Sequence, residues 1–162
     1  MSKQYRVELE SPIGVIEILG TEDVVQSILF LEKEEALENQ DEIPAVLLAC
    51  RDQLIEYFQG VRQIFTVPFQ YSGTPFQHTV WNSLVDIPFA ETASYRDIAI
   101  TLQKEKAVRA VGNANGKNKL SIVVPCHRII GSSGSLTGYA GGLWRKEWLL
   151  HHEKKVKQTR LV

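Results

Sequence analysis

The sequence predicts an α/β protein in two parts: a small N-terminal antiparallel sheet with one helix against it, then a mainly helical C-terminal part that includes a helix-turn-helix. Three observations carry that expectation. Apolar and polar residues alternate in the stretch leading to Leu31, the period of half-buried strands, whereas beyond Pro44 apolar residues recur at three- and four-residue spacing, the period of helices. Tyr71-Ser72-Gly73-Thr74-Pro75 gathers turn-forming residues between the two parts. The charge changes sign at the same place. Met1 to Pro75 holds 5 Lys or Arg against 13 Asp or Glu, a net −8, and Phe76 to Val162 holds 13 against 6, a net +7, which together give the −1 of the whole chain. The boundary is placed after Ser72, giving parts 1–72 and 73–162.

Taken in order, Tyr5, Val7 and Leu9 alternate with Arg6, Glu8 and Glu10, so Tyr5 to Glu10 is a first strand. Ser11-Pro12-Ile13-Gly14 turns into a second strand, Val15 to Leu19, and Gly20 to Asp23 turns into a third, Val24 to Leu31. Glu32 to Glu42 is acidic and has no apolar stripe, which fits an exposed connection or a short solvated helix. Pro44 suits the first turn of a helix and Gly60 its stop, and Leu47, Cys50, Leu54 and Phe58 form the buried stripe between them. Cys50 is therefore structural. Ile64 to Phe69 offers one more strand.

In the second part, Thr74 and Pro75 make an N-cap and first-turn pair for a helix to about Val85, with Phe76, Val80, Trp81 and Leu84 facing inward. Thr92 or Ser94 can cap a second helix to about Leu102, its core face Ile98, Ala99 and Leu102. A third helix covers roughly Lys106 to Asn115 and stops at Asn115-Gly116. Two short helices with a tight connection in a basic segment resemble a helix-turn-helix, a pattern shared with an ordinary helical hairpin. A final helix from about Leu143 buries Trp148, Leu149 and Leu150 and carries Lys146 and Glu153 on one face, two turns apart. The basic tail beyond Glu153 is expected to be disordered.

The chemistry concentrates in Ser121 to Arg128. Ile122, Val123 and Val124 read as a short buried strand that Pro125 ends, leaving Cys126 at the strand's end. A thiol followed directly by His127 and Arg128 is in an electropositive neighbourhood, which favours the thiolate and lowers a pKa that starts near ~8.5. Cys126 is thus the candidate nucleophile. The third helix offers Ala110, Gly112, Ala114 and a single long cation, Arg109, on a surface too sparse in long polar side chains to read base edges. Small residues suit close approach to a duplex, and one cation suits filling a gap in the base stack. The glycine-containing run Thr137-Gly138-Tyr139-Ala140-Gly141-Gly142 can present bare backbone to a flat ligand, or be a surface loop.

Composition narrows the class. Cys50 and Cys126 lack Cys-x-x-Cys spacing, and His78, His127, His151 and His152 are not spaced as ligands on one helix face, so no disulfide framework, no metal and no cofactor are expected. Reduced thiols and the absence of a signal peptide or long apolar span point to the cytoplasm and to no membrane, and a monomer is expected. A basic half beside an acidic half fits a nucleic-acid-facing domain with a separate scaffold, and equally two halves that dock by opposite charge.

The residues from Gly73 to Glu153 resemble the O6-alkylguanine-DNA alkyltransferases. Pro125-Cys126-His127-Arg128, Arg109-Ala110-Val111-Gly112, Glu91-Thr92-Ala93-Ser94-Tyr95, Tyr139-Ala140-Gly141-Gly142, Lys146-Glu147-Trp148-Leu149-Leu150 and Glu153 occur in order and at family spacing. The resemblance implies a ribonuclease-H-like first domain and a second that binds DNA and accepts the alkyl group. It implies irreversible transfer from O6-alkylguanine, and less so O4-alkylthymine, in double-stranded DNA to Cys126, once per molecule and with the nucleotide flipped out. His127 and Glu153 would activate the sulfur through a water-linked network and Tyr95 would assist at the flipped nucleotide. Arg109, with Ala110, Gly112 and Asn113, would meet DNA; Asn118, Tyr139, Ala140 and Lys146 would line the substrate site. Two positions depart from the family pattern: Lys119 follows Asn118 in place of proline, and Ala140 stands where some members carry serine. The competing classes are a DNA-binding damage sensor or regulator without chemistry, against which Cys126 argues, and a cysteine hydrolase, which adjacent Cys126 and His127 suit poorly.

Overall fold

A computed structural model describes residues 3–37 and 42–160. The chain divides into two compact units, Met1–Ser72 and Gly73–Val162. In the first, β1 (Tyr5–Ser11), β2 (Gly14–Gly20) and β3 (Val25–Leu31) form an antiparallel meander in the order β1-β2-β3. Val7 and Leu9 of β1 and Val15, Ile16 and Ile18 of β2 are buried. Glu8 departs from the alternation because the segment after β3 folds over it: its Oε1 receives the Leu37 N–H at 3.0 Å and the Lys33 ammonium. Of the acidic connection, residues 32–37 are not helical and 38–41 lie outside the described residues.

Helix α1 (Ala45–Phe58) begins one residue after Pro44, which occupies the N-cap, and is followed by Gly60 at φ +81°. Leu47, Cys50 and Leu54 are buried as expected, but Tyr57, not Phe58, completes the stripe, and Phe58 is half-buried. The expected strand at Ile64 to Phe69 does not form. Thr66 spends its backbone N–H on Gln53 Oε1 of α1 at 2.9 Å, Pro68 has no N–H to give, and Phe69 makes one isolated bridge to Val25.

In the second unit, α2 (Pro75–Val85) starts at a full capping box. The Thr74 side chain accepts the Gln77 N–H at 3.1 Å and Gln77 Oε1 accepts the Thr74 N–H at 2.9 Å, an arrangement worth about 1 kcal/mol. Val80, Trp81 and Leu84 are buried and Phe76 half-buried. Trp81 is a packing residue whose Nε1 donates to Ala114 O at 2.8 Å. A second capping box, Ser94 with Asp97, starts α3 (Tyr95–Thr101), and a 3-10 turn at Glu105–Ala107 leads into α4 (Val108–Gly116). Ile98 and Ala99 of α3 are buried and Leu102 after it is half-buried. The two-residue strands β4 (Ala93–Ser94) and β5 (Ile129–Ile130) pair in parallel, joining the start of α3 to the segment after Arg128. The last helix, α5 (Leu143–Arg160), buries Arg145, Lys146, Leu149 and Glu153 and leaves Trp148 and Leu150 half-buried. The tail expected to be disordered is the continuation of α5, with Lys154, Lys155 and Lys157 exposed on it.

Residues 121–126 do not form the expected strand. Val123 N–H donates to Ser121 O at 2.8 Å, closing a γ-turn with Ile122 at φ +72°; Cys126 N–H donates to Val124 O at 2.8 Å around Pro125 at φ −80°, ψ 62°, an inverse γ-turn. The apolar side chains are buried, so their pattern reported burial correctly and conformation wrongly. Left-handed φ is sparsely populated for a β-branched residue, and a short buried segment holds Ile122 there.

Candidate active site

Cys126, His127 and Arg128 form one 3-10 turn. At about three residues per turn, neighbouring side chains diverge by roughly 120°, and the three go to different partners. The Cys126 sulfur accepts from Asn118 Nδ2 at 3.2 Å. The same nitrogen donates to Val124 O at 3.0 Å, while Asn118 Oδ1 accepts the Leu120 N–H at 2.9 Å. Asn118 thereby closes the turn through Lys119 with its own side chain, a restraint that operates without a proline at that position. Asn115 adds a longer contact, Nδ2 to Cys126 O at 3.5 Å.

The expectation of a lowered thiol pKa is overturned. Cys126 is 4% exposed, and burial pushes its thiol up to about 11, against the opposing pull of the Asn118 hydrogen bond and the Lys146 charge. The cations adjacent in sequence do not supply the expected effect. Burial lowers the His127 pKa despite Glu153, so the imidazole is neutral at pH 7, and Arg128 is committed to a carboxylate.

That carboxylate is Glu153. Its Oε1 accepts Arg128 Nε at 2.9 Å and Ala90 N–H at 3.1 Å; its Oε2 meets His127 Nε2 at 2.7 Å and Arg128 Nη2 at 3.1 Å. Burial would raise the Glu153 pKa, but His127 and Arg128 together hold it well below the usual carboxylate range. Arg128 also donates to Ile87 O at 2.7 Å, and its guanidinium lies 5.6 Å from the Phe89 ring centroid. Ala90 reaches Glu153 from a turn closed by Glu91 N–H to Pro88 O at 3.1 Å, with Ala90 at φ +66°. A charged Glu153 places the imidazole proton on Nε2. Nδ1 is then a bare acceptor; it is buried and makes no hydrogen bond among the described residues.

Lys146, fully buried on α5, donates from Nζ to Thr137 O at 2.9 Å; desolvation lowers its pKa and the Cys126 sulfur opposes that shift. Tyr139 has its hydroxyl buried, and burial pushes its pKa well above the ordinary value, with Ser121 opposing the shift. Tyr95, first residue of α3, shares a hydrogen bond of 2.5 Å with Thr137 Oγ1. Its ring lies along Gly112, where an added Cβ would come to 3.6 Å of it. Arg109, Ala110 and Asn113 are exposed on α4, Gly112 is half-buried, and Ala140 is exposed in the glycine-containing loop.

The fold therefore pairs Cys126 with Asn118 and His127 with Glu153, brings the charge of Lys146 to bear on the Cys126 sulfur, links Tyr95 to Lys146 through Thr137, and leaves Arg109, Ala110 and Asn113 facing solvent. Sequence reasoning missed the Arg128 and Ala90 contacts to Glu153 and missed Asn115, Ser121 and Thr137. Only Arg128 had a signal, a cation beside the nucleophile, and it was read toward the wrong partner.

In the second unit a buried thiol follows two short helices, α3 and α4, joined by a 3-10 turn, the arrangement expected of a DNA-binding protein. Comparison with known families agrees. Residues 5–71 match the ribonuclease-like domain, and residues 75–155 the DNA-binding domain, of 6-O-methylguanine DNA methyltransferase. A methylated-DNA--protein-cysteine methyltransferase of Methanosarcina barkeri is 42% identical over 153 residues, covering 90% of this chain and 94% of the relative. The crystal structure of Mycobacterium tuberculosis O6-methylguanine methyltransferase superposes with a TM-score of 0.84 at 41% identity, covering 94% of each chain. The same organism's protein in complex with DNA superposes with a TM-score of 0.83 at 41% identity, covering 92% of each chain. The chain belongs to the 6-O-methylguanine DNA methyltransferase family.

Proposed function

We propose that this protein repairs alkylated DNA by moving the alkyl group from O6-alkylguanine, and less readily O4-alkylthymine, onto its own Cys126. The observation that carries the reading is the Cys126 sulfur beside Asn118 and Lys146, next in the chain to a neutral imidazole oriented by Glu153. At a thiol pKa of about 11, ionisation at pH 7 costs roughly 5 kcal/mol, at 1.36 kcal/mol per unit. Deprotonation therefore belongs to the loaded complex rather than the resting protein.

In the reaction the Cys126 proton passes through water to His127 Nδ1 as sulfur attacks the alkyl carbon in line. The S–C bond forms, the C–O bond breaks, and its electron pair goes to the base. Tyr95, or a backbone N–H of the Tyr139 to Gly142 loop, meets that developing charge; one such donor is typically worth about 3 kcal/mol. The product is a thioether, which thiol exchange does not reverse, so each molecule acts once.

The reacting oxygen lies within a duplex, so the nucleotide must be flipped, at a cost of a few kcal/mol. The exposed Arg109, with Ala110, Gly112 and Asn113 on α4, suits occupation of the vacated stack. Tyr139, Ala140 and Lys146 would line the base and Asn118 would hold the sulfur. The reading is of a cytoplasmic monomer; among the described residues no helix is long and apolar enough to cross a membrane.

Intact-mass spectrometry after mixing with an O6-methylguanine oligonucleotide tests the proposal. One methyl mass should appear per protein, on the peptide carrying Cys126, and Cys126→Ala should abolish it while DNA binding remains. Repeated turnover, or methylation at Cys50, would refute it.

A further inference from the structure

We propose that Thr137, a residue the proposed function does not use, positions Tyr95 for its encounter with the leaving base. This rests on the reading above that Tyr95 faces the flipped nucleotide. Thr137 makes two bonds in opposite directions. Its Oγ1 lies 2.5 Å from the Tyr95 hydroxyl, and its carbonyl accepts Lys146 Nζ at 2.9 Å. Lys146 is fully buried and its charge acts on the Cys126 sulfur. One residue thus ties the group that meets the base to the cation that favours the thiolate, across a loop whose neighbours Gly138 and Ser135 are exposed.

The partners fix what the hydroxyl can do. Tyr95 is the first helical residue of α3, anchored by the Ser94 cap, and its ring lies along Gly112, so the aromatic body is held and the hydroxyl direction remains to be set. Thr137 Oγ1 sets it. As sulfur bonds to the alkyl carbon and the C–O pair passes to the base, Tyr95 gives its proton to the base and becomes phenolate. Thr137 then donates its own O–H to that phenolate, which later regains a proton from solvent. The alcohol itself is neither lost nor consumed. A hydrogen bond to a charged oxygen is stronger than one between neutral groups, so the contact strengthens as the reaction proceeds.

Thr137→Val keeps the shape and removes the hydroxyl; Thr137→Ser keeps the hydroxyl; both keep the carbonyl that holds Lys146. With free O6-benzylguanine as probe, Thr137→Val should lower the limiting single-turnover rate by about 10- to 100-fold, as for a lost bond to a charged group. The concentration giving half that rate should stay within about twofold. Thr137→Ser should return most of the rate, and Thr137→Val should cost nothing further in a Tyr95→Phe background. Thermal unfolding of each variant, with Thr137→Ala as a second deletion, separates this from loss of fold. A Thr137→Val protein as fast as wild type, or losses that multiply with Tyr95→Phe, would overturn the proposal. A Tyr95→Phe protein as fast as wild type would instead remove Tyr95 from the proposed function, and Thr137 with it.

Discussion

Arg128 grips Glu153 by two separate nitrogens, Nε to Oε1 at 2.9 Å and Nη2 to Oε2 at 3.1 Å, in a pair almost wholly withdrawn from solvent. Breaking such a pair from one side leaves the other charge buried alone. Glu153→Gln should therefore destabilise the protein by about 3–5 kcal/mol, read from urea denaturation, as well as abolish alkyl transfer. Lys154→Gln, an exposed neighbour on α5, should change stability by less than about 0.5 kcal/mol.

Acid should weaken the fold in two stages. His127 and Glu153 both hold folded-state pKa values below their ordinary ones, so the unfolded chain binds their protons first and stability falls as pH falls. The decline should begin near the unfolded histidine value of ~6.5 and steepen below the glutamate value of ~4.3. Denaturation midpoints measured between pH 7 and 4 check this. Midpoints that stay level from pH 7 to 4 would contradict the assignment of His127, and midpoints that stay level on further acidification below ~4.3 would contradict that of Glu153.

Alkali acts with the opposite sign. The Cys126 thiol, pushed up to about 11, keeps its proton in the folded protein after the unfolded chain has lost it near ~8.5. Stability should fall between those values, and Cys126→Ala should remove part of the fall, leaving that due to Cys50 and Tyr139, both also raised.

The resting thiol should also be a poor nucleophile. Modification of Cys126 by iodoacetamide should be slow at pH 7 and rise toward pH 11. Asn118→Ala should raise the thiol pKa further, because the bond from Nδ2 favours the thiolate. It should also cost about 2–4 kcal/mol, since Leu120 N and Val124 O lose their partner. Rapid labelling of wild type at pH 7 would show that the sulfur is ionised at rest.

Ala90 sits at φ +66°, a conformation that costs a residue with a Cβ roughly 1–2 kcal/mol and glycine little. After the greater freedom of glycine in the unfolded chain, Ala90→Gly should stabilise by about 0.5–1 kcal/mol. Calorimetry should show a rise of roughly 2 °C, with the Glu153 contact kept.

Much of the helical scaffold was legible because its signals are local. Thr74-Pro75 and Ser94 with Asp97 start helices by bonds spanning three residues, which a linear reading captures. Ile122 to Val124 misled because an apolar β-branched run records burial and carries no hydrogen-bond pattern; the γ-turns depend on which carbonyl each N–H finds. The thiol pKa misled because neighbours in a 3-10 turn point apart, so adjacency of His127 and Arg128 to Cys126 was not proximity of charge. Thr137 was invisible: it lies in a loop without period, and its partners are 42 and 9 residues away in sequence.

The carboxylate at the middle of α5 accepts two bonds from one guanidinium, one from the imidazole and one from the Ala90 amide. Saturated in this way, it is an electrostatic anchor and a poor proton store. On the proposed mechanism the Cys126 proton is then held on His127 Nδ1 and not on the carboxylate.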